Sequence, residues 1–119
     1  MPDDRPSTAP PRPVSRGDGF DIVDNAAERR YEAWLDGELA GVIEYFVEDG
    51  WLVFDHTEVP PAFEGKGVGS RLAKASLDDV RARGLTVNPQ CPFVTAWLKR
   101  HPDYRDLIVG VRGPQLSGA

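Results

Sequence analysis

The sequence predicts an α+β fold in which antiparallel strands are followed by a helix, a short strand and a second helix. Two patterns lead to this prediction. From Phe20 to Val59 apolar and polar residues largely alternate, as in half-buried strands, whereas after Pro60 and Pro61 the apolar residues recur at helical spacing. The 119 residues are expected to hold one domain, 20–109, without internal repeats.

The first part of the domain is predicted to be a meander of three or four antiparallel strands. The dipeptides Asp36-Gly37 and Asp49-Gly50 are typical of tight hairpin turns and separate the apolar runs. The run that starts at Trp51 is apolar on both sides, as in a central strand. The expected strands cover residues 20–24, 30–36, 38–48 and 51–59.

The second part is predicted to hold two helices with a short strand at 85–87 between them. The second helix, 92–100, opens with Pro92 in its first turn and stops before Pro102. Gly84 ends the first helix, whose inner face carries Leu72, Ala73, Ser76, Leu77 and Val80.

The two ends of the chain lack the composition of a folded segment. Residues 1–19 contain five prolines and little that can be buried, so a disordered Pro-rich tail is expected there. That tail is either idle or a ligand for a partner. Residues 110–119 are expected to form a flexible tail.

Charge and cysteine content argue against several classes of protein. The net charge of −5 gives no basic field for phosphates, so nucleic acid binding is not expected. Cys91 is the single cysteine and forms no internal disulfide, and no apolar run approaches the roughly 20 residues that span a bilayer. Because residues 1–19 also lack the apolar core of a secretion signal, we expect a cytoplasmic protein without membrane contact.

The residues most indicative of chemistry stand where the strands give way to the first helix. Gly65, Gly67 and Gly69 occupy alternate positions there. Glycines let a ligand approach the backbone, and the free N–H groups of a helix N-terminus favour an anion such as a phosphate. Lys66 and Arg71 add positive charge in an otherwise acidic chain. A plain structural turn is the alternative interpretation.

Other phosphate-binding loops fit this segment less well. A Walker loop needs Gly-Lys-Ser/Thr after its spacer, but Lys66 is followed by Gly67. A dinucleotide-binding loop needs a third glycine where Ser70 stands, and a strand that runs straight into the turn, where Pro60 and Pro61 intervene.

The segment from Val59 to Leu72 resembles the pyrophosphate-loop motif of the GNAT superfamily of acyl-CoA N-acyltransferases: Arg or Gln, two residues, Gly, one residue, then Gly or Ala. Gly67 and Gly69 match its two small positions. The resemblance covers about 20–108 and implies an acetyl-CoA-dependent N-acetyltransferase with a splayed pair of central strands. Four further runs are similar to the abbreviated subgroup, which holds little beyond the CoA-binding core: 56–59, 82–84, 91–93 and 101–104.

By this resemblance, the residues that hold the pyrophosphate of CoA are Gly65, Lys66, Gly67, Val68, Gly69, Ser70 and Arg71. The pantetheine arm is expected to pair with a strand edge at Thr57, Glu58 and Val59. Glu64 departs from the motif, because a carboxylate stands where the family has Arg or Gln. We expect this carboxylate to weaken CoA binding unless it points into solvent.

Four residues are candidates for catalysis: His56, Glu58, Cys91 and Tyr104. His56 and Glu58 project from one face of a strand, where the resemblance places the thioester. His56 would accept the amine proton, with Glu58 orienting or replacing it. Cys91 is a candidate nucleophile at a helix N-terminus, and Tyr104 a candidate acid for the departing thiolate. The alternatives are a hydrogen-bonded histidine, a buried cysteine and a packed tyrosine ring.

We therefore expect an enzyme that moves an acetyl group to a primary amine of a small molecule or to a protein lysine. The alternatives are a CoA-binding or acyl-CoA-sensing module without turnover, and an interaction domain that keeps only the fold. No metal is expected, because Asp78 and Asp79 lack further ligands at a suitable spacing. The short chain leaves the acceptor site open, and either a monomer or a homodimer is compatible with it.

Overall fold

The structure is a computed structural model that describes residues 10–110. Residues 1–9 and 111–119, which make up part of the two expected tails, lie outside the described range. The strands are β1 (Arg12–Gly17), β2 (Phe20–Asn25), β3 (Arg30–Leu35), β4 (Glu38–Glu48), β5 (Trp51–Glu58) and β6 (Val87–Pro89). The helices are α1 (Val68–Ala82) and α2 (Pro92–Arg100), with 3₁₀ turns at Ala26–Glu28, Pro61–Phe63 and Pro102–Leu107.

These strands form one sheet whose spatial order is the order of the sequence. β1 to β5 are antiparallel neighbours, and β6 returns through the α1 crossover to pair in parallel with β5. The two predicted hairpin turns, Asp36-Gly37 and Asp49-Gly50, have positive φ at both residues, as a type I′ turn requires. The α+β prediction is confirmed, with one antiparallel strand more than expected.

The additional strand β1 corrects the prediction that all of 1–19 is a disordered tail. β1 pairs with β2 along its length, although its side chains are largely exposed. The guanidinium of Arg12 donates to Asp24 and Asp79 at 3.1 and 2.7 Å. Backbone pairing and these charged contacts hold the strand. A prediction that weighed only buried apolar residues could not detect it.

The short strand between the helices also lies later than predicted, at Val87–Pro89 instead of 85–87. Gly84 has a φ of 68°, and the N–H of Leu85 bonds to the carbonyl of Val80 at 3.0 Å. Leu85 therefore still belongs to the cap of α1. Pairing with β5 begins only beyond that bond.

One face of the sheet carries the hydrophobic core and is covered by both helices. Leu72 and Leu77 of α1 are fully buried in one cluster with Phe54 of β5. Gly41 of β4 permits this close approach, because a Cβ there would lie 2.9 Å from Cγ1 of Val68. The N-terminus of α1 is thereby fixed over the centre of the sheet.

The other face of the sheet, which we call the free face, has neither α1 nor α2 packed on it. The two helices lie together on the core side, where Phe93 of α2 packs against Gly69 of α1. On the free face, the strand register places two rows of side chains next to one another: Arg30, Glu44 and His56, then Glu32, Val42 and Glu58.

A buried ion cluster ties the C-terminal half of α1 to the strands. It consists of Arg12, Asp24, Tyr31, Tyr45, Asp79 and Arg83. Burial alone would raise the pKa of Asp79, but hydrogen bonds from Arg12 and Tyr31 outweigh it and hold that pKa below its ordinary value. Burial, together with the hydrogen bond to Asp79, raises the pKa of Tyr31. The cluster is structural, because its carboxylates are buried and paired.

No helix between residues 10 and 110 is long and apolar enough to cross a membrane. Within the same residues, no group of three or more His, Cys, Asp or Glu side chains is placed to hold a metal ion.

Candidate functional site

Residues 65–70, which we call the glycine turn, lead from the Pro61–Phe63 turn into α1. Gly65 and Gly67 have φ angles of 82° and 77°, and a Cβ at either position would meet nothing within 4 Å. Gly67 is the N-cap of α1, and no side chain caps the helix. Since the N–H of Arg71 makes the first intrahelical bond, to Gly67 at 3.1 Å, the preceding N–H groups of the turn lack helical acceptors.

The charged residues around the glycine turn differ in what they contact. Lys66 is exposed and has no hydrogen bond or ion pair with any residue in the described part of the chain. Arg71 instead donates to Asp18 at 2.6 Å and lies over the ring of Phe20 at 4.6 Å. The predicted phosphate contact of Arg71 would require that ion pair to break. Glu64 is exposed immediately before the turn.

β5 and β6 part beside the glycine turn. Their pairing ends at Phe54 opposite Pro89, whereas β5 continues to pair with β4 as far as Glu58. The N–H groups of Gln90 and Cys91 both donate to the carbonyl of Phe54 at 2.9 Å, which closes the ladder. Beyond that point the β6-side edge of residues 55–58 has no strand partner among residues 10–110.

A β-bulge in this open part of β5 decides which side chains face the helices. The register between β4 and β5 shifts between Glu44 and Tyr45, so that Tyr45 lies opposite Phe54 but Glu44 lies opposite His56. Asp55 is the extra residue. Phe54 points into the core, whereas His56 emerges on the free face, which simple alternation from Phe54 would not allow.

His56 and Glu58 project together from the free face, as predicted. Nε2 of His56 lies 3.5 Å from Oε1 of Glu58, and the two side chains are 54% and 68% exposed. Glu44 is the cross-strand neighbour of His56. An exposed imidazole beside a carboxylate can accept a proton from an incoming amine.

Cys91 lies on the other side of the sheet from His56. It is the N-cap of α2, only 3% exposed, and its sulfur is 2.9 Å from Oγ1 of Thr57. Because Thr57 follows His56 in β5, the two candidate catalytic groups flank the same strand edge from opposite faces.

Tyr104 does not join this site. Its hydroxyl donates to Oδ1 of Asp78 at 2.6 Å, and its ring packs edge-on against Trp97. Burial, and then the hydrogen bond to Asp78, raise the pKa of the phenol. Among residues 10–110, this hydroxyl makes no hydrogen bond with His56, Cys91 or the glycine turn. The predicted role as an acid for the CoA thiolate therefore has no support in the geometry.

Two side-chain contacts at the site were not predicted. Thr57 was expected to offer only its backbone, yet its hydroxyl contacts Cys91. Phe93 packs on the glycine turn at Gly69. If the bulge had been known, the alternation of side chains along β5 would have placed the side chain of Thr57 on the helix-covered face. The contact between Phe93 and Gly69 depends on how the two helices pack, which the sequence does not show.

The residues present fit a CoA molecule. Two open glycines and an uncapped helix N-terminus form a cradle for phosphate oxygens that any added side chain would narrow. The unpaired edge of 55–58 offers backbone groups to an extended chain that leads toward Cys91 and His56.

Comparison with known proteins identifies the family of this chain. A family model described as GCN5-related N-acetyl-transferase matches residues 30–107, which include the glycine turn, β5 and both helices. The chain belongs to this family. The match confirms the GNAT resemblance and assigns the chain to a family of acyltransferases.

Individual relatives of this GNAT protein extend over most of its length. It is 28% identical to Protein NATD1 of Mus musculus over 95 residues, covering 78% of this chain and 86% of the relative. It is 32% identical to Protein NATD1 of Xenopus tropicalis over 76 residues, covering 62% and 70%. The NMR solution structure of a GCN5-like protein from Staphylococcus aureus superposes with a TM-score of 0.60 at 25% identity, covering 82% of this chain and 96% of that one.

Proposed function

We propose that this protein transfers the acetyl group of acetyl-CoA to a primary amine. One observation supports this function above the others: the open glycine turn and the unpaired edge of β5 lie end to end, and they lead to His56 on one face and Cys91 on the other. An anion site joined to an extended groove and a proton acceptor suits a ligand with phosphates at one end and a thioester at the other.

In the proposed complex, the backbone N–H groups of Gly67, Val68, Gly69 and Ser70 hold the pyrophosphate, and Lys66 adds an exposed positive charge. The edge at Thr57, Glu58 and Val59 pairs with the amides of the pantetheine arm. Arg71 contributes only if it leaves Asp18, so we assign it a minor part.

The chemical step we propose is direct transfer. The amine nitrogen attacks the acetyl carbonyl carbon, a C–N bond forms, and the C–S bond to CoA breaks. His56 accepts the proton that the nitrogen loses, and Glu58 stabilises the resulting imidazolium across the 3.5 Å between them. The thiolate of CoA leaves and takes a proton from solvent.

The covalent route through Cys91 is the less favoured mechanism. Its sulfur is nearly fully buried, is engaged with Thr57, and faces the helices rather than the exposed His56. No described base contacts it on that side. We assign Cys91 to packing and to shaping the end of the groove.

The acceptor amine is proposed to approach over the free face. That face is not covered by α1 or α2, and a cavity of about 170 Å³ is lined in part by Val42, Glu44 and Glu58. Glu44 and Glu58 are the cross-strand neighbour and the ion-pair partner of His56. An open face of this kind admits a small amine or the lysine of a partner protein. The cytoplasmic location, and a monomeric or homodimeric state, stay predictions.

A second candidate function is CoA or acyl-CoA sensing without turnover. Glu64 in place of Arg or Gln, and the ion pair that occupies Arg71, both reduce the positive charge offered to phosphates. A protein with such a site can bind CoA weakly and signal its level.

The deciding experiment measures free thiol released from acetyl-CoA with a panel of amines, alongside calorimetric binding of CoA. Amine-dependent thiol release supports the transferase. Binding without release for any amine supports the sensing module, and absence of binding contradicts both.

A further inference from the structure

We propose that Phe93 is the wall along which the pantetheine arm of CoA passes between the glycine turn and Cys91. This inference rests on the proposed function, because it requires the CoA phosphates to lie at the N-terminus of α1.

Phe93 bridges the two ends of the proposed ligand path. It is the second residue of α2 and stands two positions after Cys91. Its ring packs on the first turn of α1, where Cζ and Cε2 lie 2.6 and 3.0 Å from the position of a Cβ on Gly69. Only a glycine at 69 leaves room for the ring. The side chain therefore contacts the first turn of α1, which would hold the phosphates. It belongs to the first turn of α2, which begins next to Cys91.

The exposure of Phe93 is unusual for this chain. Within residues 10–110, the exposed large apolar side chains are Phe46, Val47 and Phe93, at 40%, 66% and 37%. Phe46 and Val47 lie near the β4–β5 hairpin, whereas Phe93 lies beside the opening between β5 and α2. Exposed aromatic surface at the edge of a groove commonly marks a contact for a ligand.

The chemistry of the arm matches this surface. The pantetheine arm carries a carbon with two methyl groups close to the pyrophosphate, followed by methylenes and two amides. The amides can bond to the unpaired edge of residues 55–58, and the methyl groups need an apolar neighbour on the opposite side. Phe93 is the exposed apolar side chain placed next to both the glycine turn and Cys91.

The test compares two ligands that differ only in the arm: CoA, and 3′-phosphoadenosine 5′-diphosphate, which keeps both phosphate groups and the adenine. By calorimetry, Phe93→Ala should weaken CoA binding about tenfold, because the apolar contact is lost, and should change the affinity for the nucleotide by less than about twofold. Phe46→Ala removes a similarly exposed ring near the hairpin and serves as the matched control; it should change neither affinity.

A second variant covers the case in which Phe93→Ala loosens the packing of the helices. Phe93→Leu keeps an apolar side chain next to Gly69, so it should retain CoA affinity within about threefold and spare the nucleotide. Its melting temperature, compared with that of Phe93→Ala, shows whether the packing of the helices is preserved.

Equal losses for both ligands, or no loss for CoA, would overturn the role of Phe93 while leaving the phosphate site intact. A folded Phe93→Leu protein that loses as much CoA affinity as Phe93→Ala would overturn it as well. Failure of the unmodified protein to bind CoA would instead contradict the proposed function itself.

Discussion

The sulfur of Cys91 lies 2.9 Å from the hydroxyl oxygen of Thr57, on the helix-covered face of the sheet, while the adjacent His56 projects from the free face. This arrangement separates the two candidate catalytic groups by the thickness of one strand. A nucleophilic cysteine activated by that histidine would need both on one side. The arrangement therefore favours direct transfer.

Replacement of Cys91 tests the choice between the two routes. Cys91→Ser keeps the volume and the bond to Thr57 while it removes the good nucleophile, and we expect it to retain acetyl transfer within about threefold. Incubation of the unmodified protein with acetyl-CoA should leave no mass gain of about 42 Da on Cys91 by intact-protein mass spectrometry. A labelled Cys91, together with an inactive serine variant, would establish the covalent route instead.

Gly67→Asp tests the glycine turn. The substitution places a carboxylate against the proposed pyrophosphate, so it should abolish the rise in melting temperature that CoA produces by binding the native state. Gly50→Asp is the matched control: Gly50 also has positive φ, at 89°, and open space around it, but lies in the β4–β5 hairpin. Both variants should lose about 1–2 kcal/mol of stability from backbone strain, and only the first should lose the response to CoA. An intact response in Gly67→Asp would place the phosphates elsewhere.

Glu64→Arg tests whether the departure from the motif matters. An arginine that reaches the phosphates should strengthen CoA binding by roughly 0.5–2 kcal/mol, as charge-assisted hydrogen bonds do. Glu48→Arg makes the same charge change at the far end of β4 and controls for the general effect of net charge. If Glu64→Arg binds CoA no more tightly than Glu48→Arg, the side chain at position 64 does not reach the phosphates. Glu64 then does not weaken CoA binding.

The features that depend on neighbours in sequence could be predicted, and those that depend on contacts between distant residues could not. Asp49-Gly50 and Gly67 encode their turns locally, because few other residues tolerate positive φ. β1 was missed because it depends on Arg12 reaching Asp79, 67 residues away. The bulge at Asp55 has no local signature, yet it moves His56 to the free face and so determines the geometry of the site.

Asp79 offers a test of the buried ion cluster. Its pKa is held below the ordinary value of about 4, so the stability it contributes is present above that value and is lost as pH falls through the lower folded-state pKa. Asp79→Asn should lower the free energy of unfolding at pH 7 by about 2–4 kcal/mol and flatten the loss of stability toward pH 3, measured by urea unfolding. Asp21 forms an exposed ion pair with Arg16, so Asp21→Asn should change the free energy of unfolding by less than about 1 kcal/mol. If Asp79→Asn loses stability toward pH 3 as steeply as the unmodified protein, that loss arises from other carboxylates.

His56 carries the last test, because it is the group proposed to take the amine proton. His56→Ala should lower the rate of amine-dependent acetyl transfer about 10²-fold, since general base catalysis commonly contributes that much, while CoA affinity stays within about twofold. The second histidine, His101, stacks on Trp97 and bonds to its carbonyl through Nδ1, so His101→Ala should reduce stability without a comparable loss of turnover. Added imidazole should partly restore the His56→Ala rate, because the free face leaves room for a small base beside Glu58. If His56 served only in packing, its loss would not lower the rate while sparing CoA affinity, and added imidazole would not restore the rate. A fully active His56→Ala protein would instead leave Glu58, exposed on the same face, as the residue to test as base.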